Sequence, residues 1–173
     1  MAAVTPANES IARLDHALFK NSLKNTSSSK TPPRLATALN LTQHPEGGWY
    51  RETWRTTGQF HPEGYPGNRT AATAIYFVLG RDEMSQWHRV RSDELWLWQS
   101  GSPLELTLGG RGERPSATTS TIRLGPSIKN GEHPQGLVPG GVWQTAKPVR
   151  GEVLVSCIVA PGFDNQDFTL LDH

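Results

Sequence analysis

Large and polar side chains alternate along much of the chain after residue 47, and this period of two predicts a series of short β-strands. The clearest case is the stretch 94–99, where Glu94, Trp96 and Trp98 share one face of a strand and the residues between them share the other. Turns rich in glycine and proline separate the strands. The predicted strands are 49–56, 70–79, 86–90, 94–99, 104–108, 120–124, 136–138, 142–146, 153–160 and 168–171.

The first forty residues follow a different pattern from the rest of the chain. Apolar residues with helical spacing predict a helix over about 9–23, and a polar segment, 25–33, separates it from a short second helix at 35–39. We therefore expect an arm over residues 1–40, helical or partly mobile. Residues 41–173 are expected to form one domain, because short strands without a strand–helix–strand unit are typical of an all-β sandwich or barrel.

Composition and charge exclude several classes of function. The chain has 173 residues, which suits one domain with a substantial core. Its net charge of +1 provides no field that would attract nucleic acid or an acidic membrane. No export signal and no apolar run of membrane-spanning length is visible, so we expect a cytoplasmic protein without membrane contact. The single cysteine, Cys157, excludes an intrachain disulfide, and its apolar neighbours predict a buried thiol.

The chemistry of the chain points to His88 and Glu94. If the strand that carries His88 turns back into the strand that begins near Glu94, both side chains face the same cavity. Burying an imidazole and a carboxylate among aromatic residues costs free energy, which indicates a chemical site. A histidine fixed by a carboxylate is suited to general acid–base catalysis. The alternative is a core histidine that hydrogen-bonds Glu94 without any turnover.

The dipeptide His-Pro occurs three times, and its histidines are candidate metal ligands. The tetrapeptide His-Pro-Glu-Gly begins at His44 and again at His61, and His133 is also followed by proline. Each copy lies in a turn rich in proline and glycine, which favours a turn role over metal ligation.

Two spaced motifs resemble those of the cupin families. The first cupin motif has two histidines one residue apart, then a glutamate and a glycine; His88, Glu94 and Gly101 match it, with Val90 at the second histidine. The second motif resembles residues 139–144, with Gln144 in place of its histidine. More specifically, a family of small single-domain cupins of unknown function is similar over about residues 40–171, through the stretches 44–52, 85–98, 138–144 and 160–164.

This resemblance implies an all-β, RmlC-like cupin jelly-roll barrel with a ligand pocket in its mouth, here with a short N-terminal helical arm, and usually a homodimer. Typical cupins hold a transition metal with three histidines and one glutamate. At those positions this chain has only His88 and Glu94, together with Val90 and Gln144. One imidazole and one carboxylate are too few for a tight site, so we expect no metal and no cofactor. If a divalent metal were bound, His88 and Glu94 would hold it, with His44 or His133 as a further ligand.

We therefore expect a small-molecule-binding cupin that acts as a metal-independent acid–base enzyme of the isomerase, epimerase or lyase type. His88 and Glu94 are the expected catalytic residues. The alternatives are a non-catalytic metabolite-binding cupin and a metal-dependent cupin oxygenase or isomerase.

The other site candidates are polar or aromatic residues of the same motifs. Trp96 and Trp98 share the parity of Glu94 and are suited to stacking on a planar or ring-containing ligand. Because neighbouring strand residues face opposite sides, only one of Arg51 and Glu52 can point inward. The full set of expected substrate-binding residues is Gln144, Gln86, Trp96, Trp98, Tyr50, Arg51, Glu52 and Tyr76.

Overall fold

The computed structural model describes residues 31–172, so the predicted helix over 9–23 lies outside the described residues. The described chain has one α-helix, α1 (Arg34–Ala38), and a series of strands. The strands are β1 (Thr42–Gln43), β2 (Trp49–Arg55), β3 (Thr73–Leu79), β4 (Ser85–Val90), β5 (Asp93–Gly101), β6 (Leu104–Leu108), β7 (Ser120–Leu124), β8 (Gln135–Val138), β9 (Gln144–Pro148), β10 (Val153–Ala160) and β11 (Phe168–Leu170).

The strands form two antiparallel sheets that enclose a shared core. One sheet has the order β1-β2-β3-β10-β5-β8, and the other has the order β11-β4-β9-β6-β7. Inward-facing residues of both sheets meet in one hydrophobic cluster. The prediction of an all-β jelly-roll barrel is therefore confirmed.

The predicted strands match most of the observed ones closely, with three differences. The strand expected over 70–79 begins only at Thr73. The strand expected over 142–146 begins only at Gln144, because Val142 N–H donates to the Pro139 carbonyl and closes a turn at 3.1 Å. Strand β1 was not predicted, since its two residues are too few to show an alternating pattern.

The barrel is packed solid at one end and open at the other. Leu104, Leu106, Leu124 and Val153 are buried at the packed end, in the halves of their strands nearest the β5–β6 turn. The other end, where β5 begins and where β4 and β10 finish, surrounds a cavity. The position of a residue along its strand therefore decides whether it belongs to the core or to the cavity.

Helix α1 covers part of the outer face of the six-stranded sheet. Ala36 packs there against Trp49 and Val78, and all three are buried. The short helix predicted at 35–39 is confirmed, with bounds of Arg34–Ala38. Within residues 31–172, no helix has the length and hydrophobicity needed to cross a membrane.

A buried ion pair attaches the C-terminal strand to the rest of the barrel. The Nε of Arg69 lies 2.6 Å from Oδ2 of Asp167, and Arg91 contacts the other oxygen at 3.1 Å. Asp167 directly precedes Phe168, the first residue of β11, whose ring lines the cavity. The pair therefore holds one wall of the cavity in place.

We predict that Asp167→Ala lowers the free energy of unfolding by about 3–5 kcal/mol, because it leaves the buried Arg69 guanidinium without its counter-charge. Urea denaturation measures this loss. The control is Glu105→Ala, which removes a more exposed pair with Lys147 at 3.4 Å and should cost less than about 1 kcal/mol. Equal losses in the two variants would contradict the prediction.

Candidate active site

The open end of the barrel contains a cavity that opens to solvent, and its volume is about 580 Å³ when the solvent space at its mouth is included. Strands of both sheets line it, together with the turn before β2 and the segment before β11. Buried polar side chains and aromatic rings face each other across this space. The lining residues are His44, Glu46, Tyr50, Glu52, Thr73, Ile75, Phe77, His88, Val90, Glu94, Trp96, Cys157, Val159, Phe163 and Phe168.

The two ring nitrogens of His88 have different partners, and these fix its tautomer. Nδ1 lies 2.8 Å from the Gln86 carbonyl oxygen, which only accepts hydrogen bonds, so Nδ1 carries a proton. Nε2 lies 3.1 Å from Oε2 of Glu46. Burial lowers the pKa of His88 to about 4 and raises the pKa of Glu46 well above its ordinary value. Glu46 therefore donates to a neutral His88, and the two groups share one proton.

A tight glycine turn brings Glu46 into the cavity. Gly47 and Gly48 have φ angles of +101° and +75°, which disfavour residues with side chains. A Cβ on Gly48 would also lie 2.9 Å from the Phe77 ring. The Glu46 carbonyl accepts a hydrogen bond from Gln86 N–H at 2.7 Å, which joins the turn to β4.

His44 lies beside the carboxyl group of Glu46. Its Nδ1 is 3.5 Å from Glu46 Oε2, and its ring packs edge-on against Tyr50 with centroids 4.5 Å apart. Burial, helped by the nearby His88, lowers the pKa of His44 to about 3. Sequence reasoning placed His44 in a turn, but it missed that the turn carries both His44 and Glu46 into the cavity.

The second copy of His-Pro-Glu-Gly shows which sequence feature separates the copy in the cavity from the exposed copy. His61 and Glu63 are exposed, and neither lines the cavity. The first copy continues into a second glycine, Gly48, whereas the second continues into Tyr65. The additional glycine is the feature that distinguishes the buried copy.

Glu94 lines the same cavity as His88, as predicted, but its partners are different from those expected. Gln144 Nε2 donates to Glu94 Oε2 at 2.5 Å, and the buried Cys157 thiol lines the same cavity. Trp96 Nε1 donates to Gln144 Oε1 at 3.0 Å, which fixes the orientation of the amide. Burial raises the pKa of Glu94 to about 7, although these hydrogen bonds partly offset it. The carboxyl partner of His88 is therefore Glu46 and not Glu94.

The alternation along β2 and β3 decides which of the other candidates face inward. Tyr50 and Glu52 line the cavity, and Arg51 between them points outward, where its Nε donates to the Leu39 carbonyl at 3.2 Å. Tyr76 also lies on the outer face, with the Arg51 guanidinium 5.8 Å from its ring. Of the expected binding residues, Arg51 and Tyr76 therefore lie outside the cavity, and Glu52 is the member of the adjacent pair that points inward.

Position along the strand separates the two tryptophans of β5. Trp96 lines the cavity, but Trp98 is two residues nearer the packed end. There the indole N–H of Trp98 donates to the Ser102 carbonyl at 3.0 Å. The side chain of Gln86 is also absent from the lining, and this residue contributes its backbone carbonyl to His88.

The residues at the expected ligand positions do not fit the metal set of a typical cupin. Val90 has no donor atom, and both ends of the Gln144 amide are occupied by Glu94 and Trp96. Within residues 31–172, no three histidine, cysteine or acidic side chains are grouped so that they could hold a metal ion.

Comparison with known proteins identifies the family. The model of the family described as "Cupin superfamily (DUF985)" matches residues 33–171. The uncharacterized protein YML079W of Saccharomyces cerevisiae is 30% identical over 158 residues, which cover 81% of this chain and 76% of the yeast protein.

Two solved structures are similar over most of the chain. A hypothetical protein from Leishmania major is 34% identical, with a TM-score of 0.71, over 79% of this chain and 84% of that one. Protein SO0799 from Shewanella oneidensis is 36% identical, with a TM-score of 0.69, over 80% of this chain and 82% of that one. The family match and these likenesses agree with the barrel described above, and the chain belongs to the DUF985 family of the cupin superfamily.

Proposed function

We propose that this protein is a metal-independent enzyme that moves protons on a small molecule bound in the cavity, as an isomerase, epimerase or lyase does. The observation that carries the proposal is the buried pair of His88 and Glu46, which share one proton in the same cavity as Glu94. Burying His44, Glu46, His88 and Glu94 in one cavity costs stability. Such clusters with shifted pKa values are characteristic of functional sites, and this favours catalysis over ligand storage.

The pair of His88 and Glu46 acts as the base. The free oxygen of Glu46 takes a proton from a carbon next to a carbonyl group, while the proton on Oε2 crosses the 3.1 Å to His88 Nε2. The electrons of the broken C–H bond form the C=C bond of an enol. The imidazolium that results is stabilised by the Gln86 carbonyl, which accepts from Nδ1.

Glu94 acts as the acid in the same step. Its raised pKa of about 7 keeps it largely protonated below neutral pH, so it can donate to the carbonyl oxygen as the enol forms. Return of a proton to the carbon, at the same or a neighbouring position, completes an epimerisation or isomerisation. Elimination instead occurs when the enol returns its O–H proton to Glu94, reforms the carbonyl group and expels a hydroxyl group from the next carbon; this hydroxyl group takes the abstracted proton from the Glu46–His88 pair and leaves as water.

We expect the protein to exchange substrate C–H protons with solvent, and this tests the proposal. Aldoses, ketoses and cyclic hydroxyketones are incubated with the protein in D₂O, and deuterium incorporation is followed by mass spectrometry. His88→Asn and Glu46→Gln should each lower the exchange rate by about 10²-fold or more, because each removes half of the base.

The repeated tetrapeptide supplies the matched control for this experiment. Glu63→Gln makes the same change in the exposed copy and should leave exchange at the wild-type rate. Circular dichroism verifies that each variant is folded. Absence of exchange with wild-type protein, or unchanged exchange in folded His88→Asn, would contradict the proposal.

The protonation state assigned to Glu94 predicts a pH-dependent stability. The folded pKa is about 7 and the ordinary value is 4.5, so between these pH values the unfolded chain has lost a proton that the folded protein keeps. The contribution of Glu94 to stability is therefore complete below about pH 4.5, and it decreases by about 1.4 kcal/mol for each pH unit up to about 7.

Urea denaturation at several pH values, compared with Glu94→Gln, isolates this contribution. The amide cannot titrate, so wild-type stability should fall relative to the variant as the pH rises through this window. Glu105→Gln, which lies on the outer surface, should keep the wild-type profile. Parallel profiles of the wild type and Glu94→Gln would show that Glu94 is not held protonated.

A further inference from the structure

The wall of the cavity is suited to a ring. Five aromatic side chains line it, from β2, β3, β5, β11 and the segment before β11; they are Tyr50, Phe77, Trp96, Phe163 and Phe168. Phe163 and Phe168 pack against each other with centroids 6.0 Å apart. Aromatic walls of this kind bind the flat face or the edge of a ring through dispersion and burial of apolar surface.

The floor of the cavity offers hydrogen bonds but no free charge. Among the residues that the structure describes, neither lysine nor arginine lines the cavity. The carboxyl group of Glu46 is turned toward His88, and that of Glu94 accepts from Gln144. An anionic ligand would therefore be buried beside two carboxyl groups without a counter-charge, which is strongly unfavourable.

The arginine that contacts the lining residue Glu52 is also occupied. Arg55 donates to Glu52 through two nitrogens, at 3.0 Å and 2.7 Å, and Glu52 lines the cavity. A further nitrogen of Arg55 donates to the Phe163 carbonyl at 3.3 Å. Arg55 and Glu52 therefore neutralise each other at the rim of the cavity. The guanidinium nitrogens of Arg55 all have partners within the protein, so they are not free to bind a phosphate or a carboxylate.

We infer that the substrate is an uncharged, ring-containing molecule that carries a carbonyl or hydroxyl group, and that the cavity excludes anions such as carboxylates and phosphates. This inference rests on the proposed function for the role of the carbonyl group. The exclusion of charge rests on the lining residues alone, so binding can test it without any turnover.

Three probes of similar size separate the cases: acetophenone is neutral, benzoate is an anion, and benzylammonium is a cation. Binding is followed in ¹H–¹⁵N NMR spectra through the indole signal of Trp96, which lines the cavity and is assigned with the variant Trp96→Phe. We expect a saturable shift with acetophenone at about pH 6, where Glu94 is largely protonated, and dissociation constants for benzoate and benzylammonium that are about tenfold higher or more, because the protonated Glu46 and Glu94 offer neither ion a counter-charge.

A matched pair of substitutions locates the binding. Val159 lines the cavity and Val149 lies on the surface, so Val159→Phe should weaken acetophenone binding about tenfold, whereas Val149→Phe should leave it unchanged. If Val159→Phe does not fold, a saturable Trp96 shift in the Val149→Phe protein still tests the ranking of the three probes.

The inference is overturned if benzoate or benzylammonium binds as tightly as acetophenone, or if no probe shifts the Trp96 signal. Its failure is distinct from failure of the proposed function. Neutral binding without any deuterium exchange would contradict only the proposed function. Exchange on a carboxylate or phosphate substrate, together with tight benzoate binding, would contradict only the inference drawn from the lining.

Discussion

The proton shared by Glu46 and His88 is the interaction on which the open end of the barrel depends. A buried carboxyl group and a buried imidazole each need a hydrogen-bond partner. The Gln86 carbonyl accepts from Nδ1 of His88, so Nε2 carries no proton and can accept one from Glu46. Gly47 and Gly48 have positive φ angles, and the turn that they form allows the Glu46 side chain to reach His88. A local backbone requirement and a long-range hydrogen bond therefore support each other.

Next to Glu94, the buried amide of Gln144 occupies the position at which the second cupin motif has a histidine. Gln144 is oriented by Trp96 and donates to Glu94, so three side chains form a chain of hydrogen bonds that leads into the cavity. With Val90 at another ligand position, the proposed function uses these residues for proton transfer between a carboxyl group and a substrate. The open end of this cupin barrel therefore holds exchangeable protons on side chains.

Much of the fold could be predicted from the chain because each β-strand shows its two faces in sequence. The alternation through Glu94 and Trp96, and the opposite orientation of Arg51 and Glu52, follow from the strand geometry alone. Parity cannot tell how far along a strand the core ends and the cavity begins. Trp98 shares the parity of Trp96 but belongs to the packed end, because depth in the barrel depends on how the two sheets come together.

The sequence by itself determined the strands, the family likeness and the presence of His88 and Glu94 in one cavity, since all of these depend on local periodicity and on spacing. Only the tertiary structure decided which carboxyl group meets His88. Glu46 lies about forty residues earlier in the chain, in a turn whose tetrapeptide also occurs in an exposed copy at 61–64. The physical reason is that a hydrogen bond between distant residues requires the turn, β4 and the opposite wall to be assembled, and no local pattern encodes that meeting.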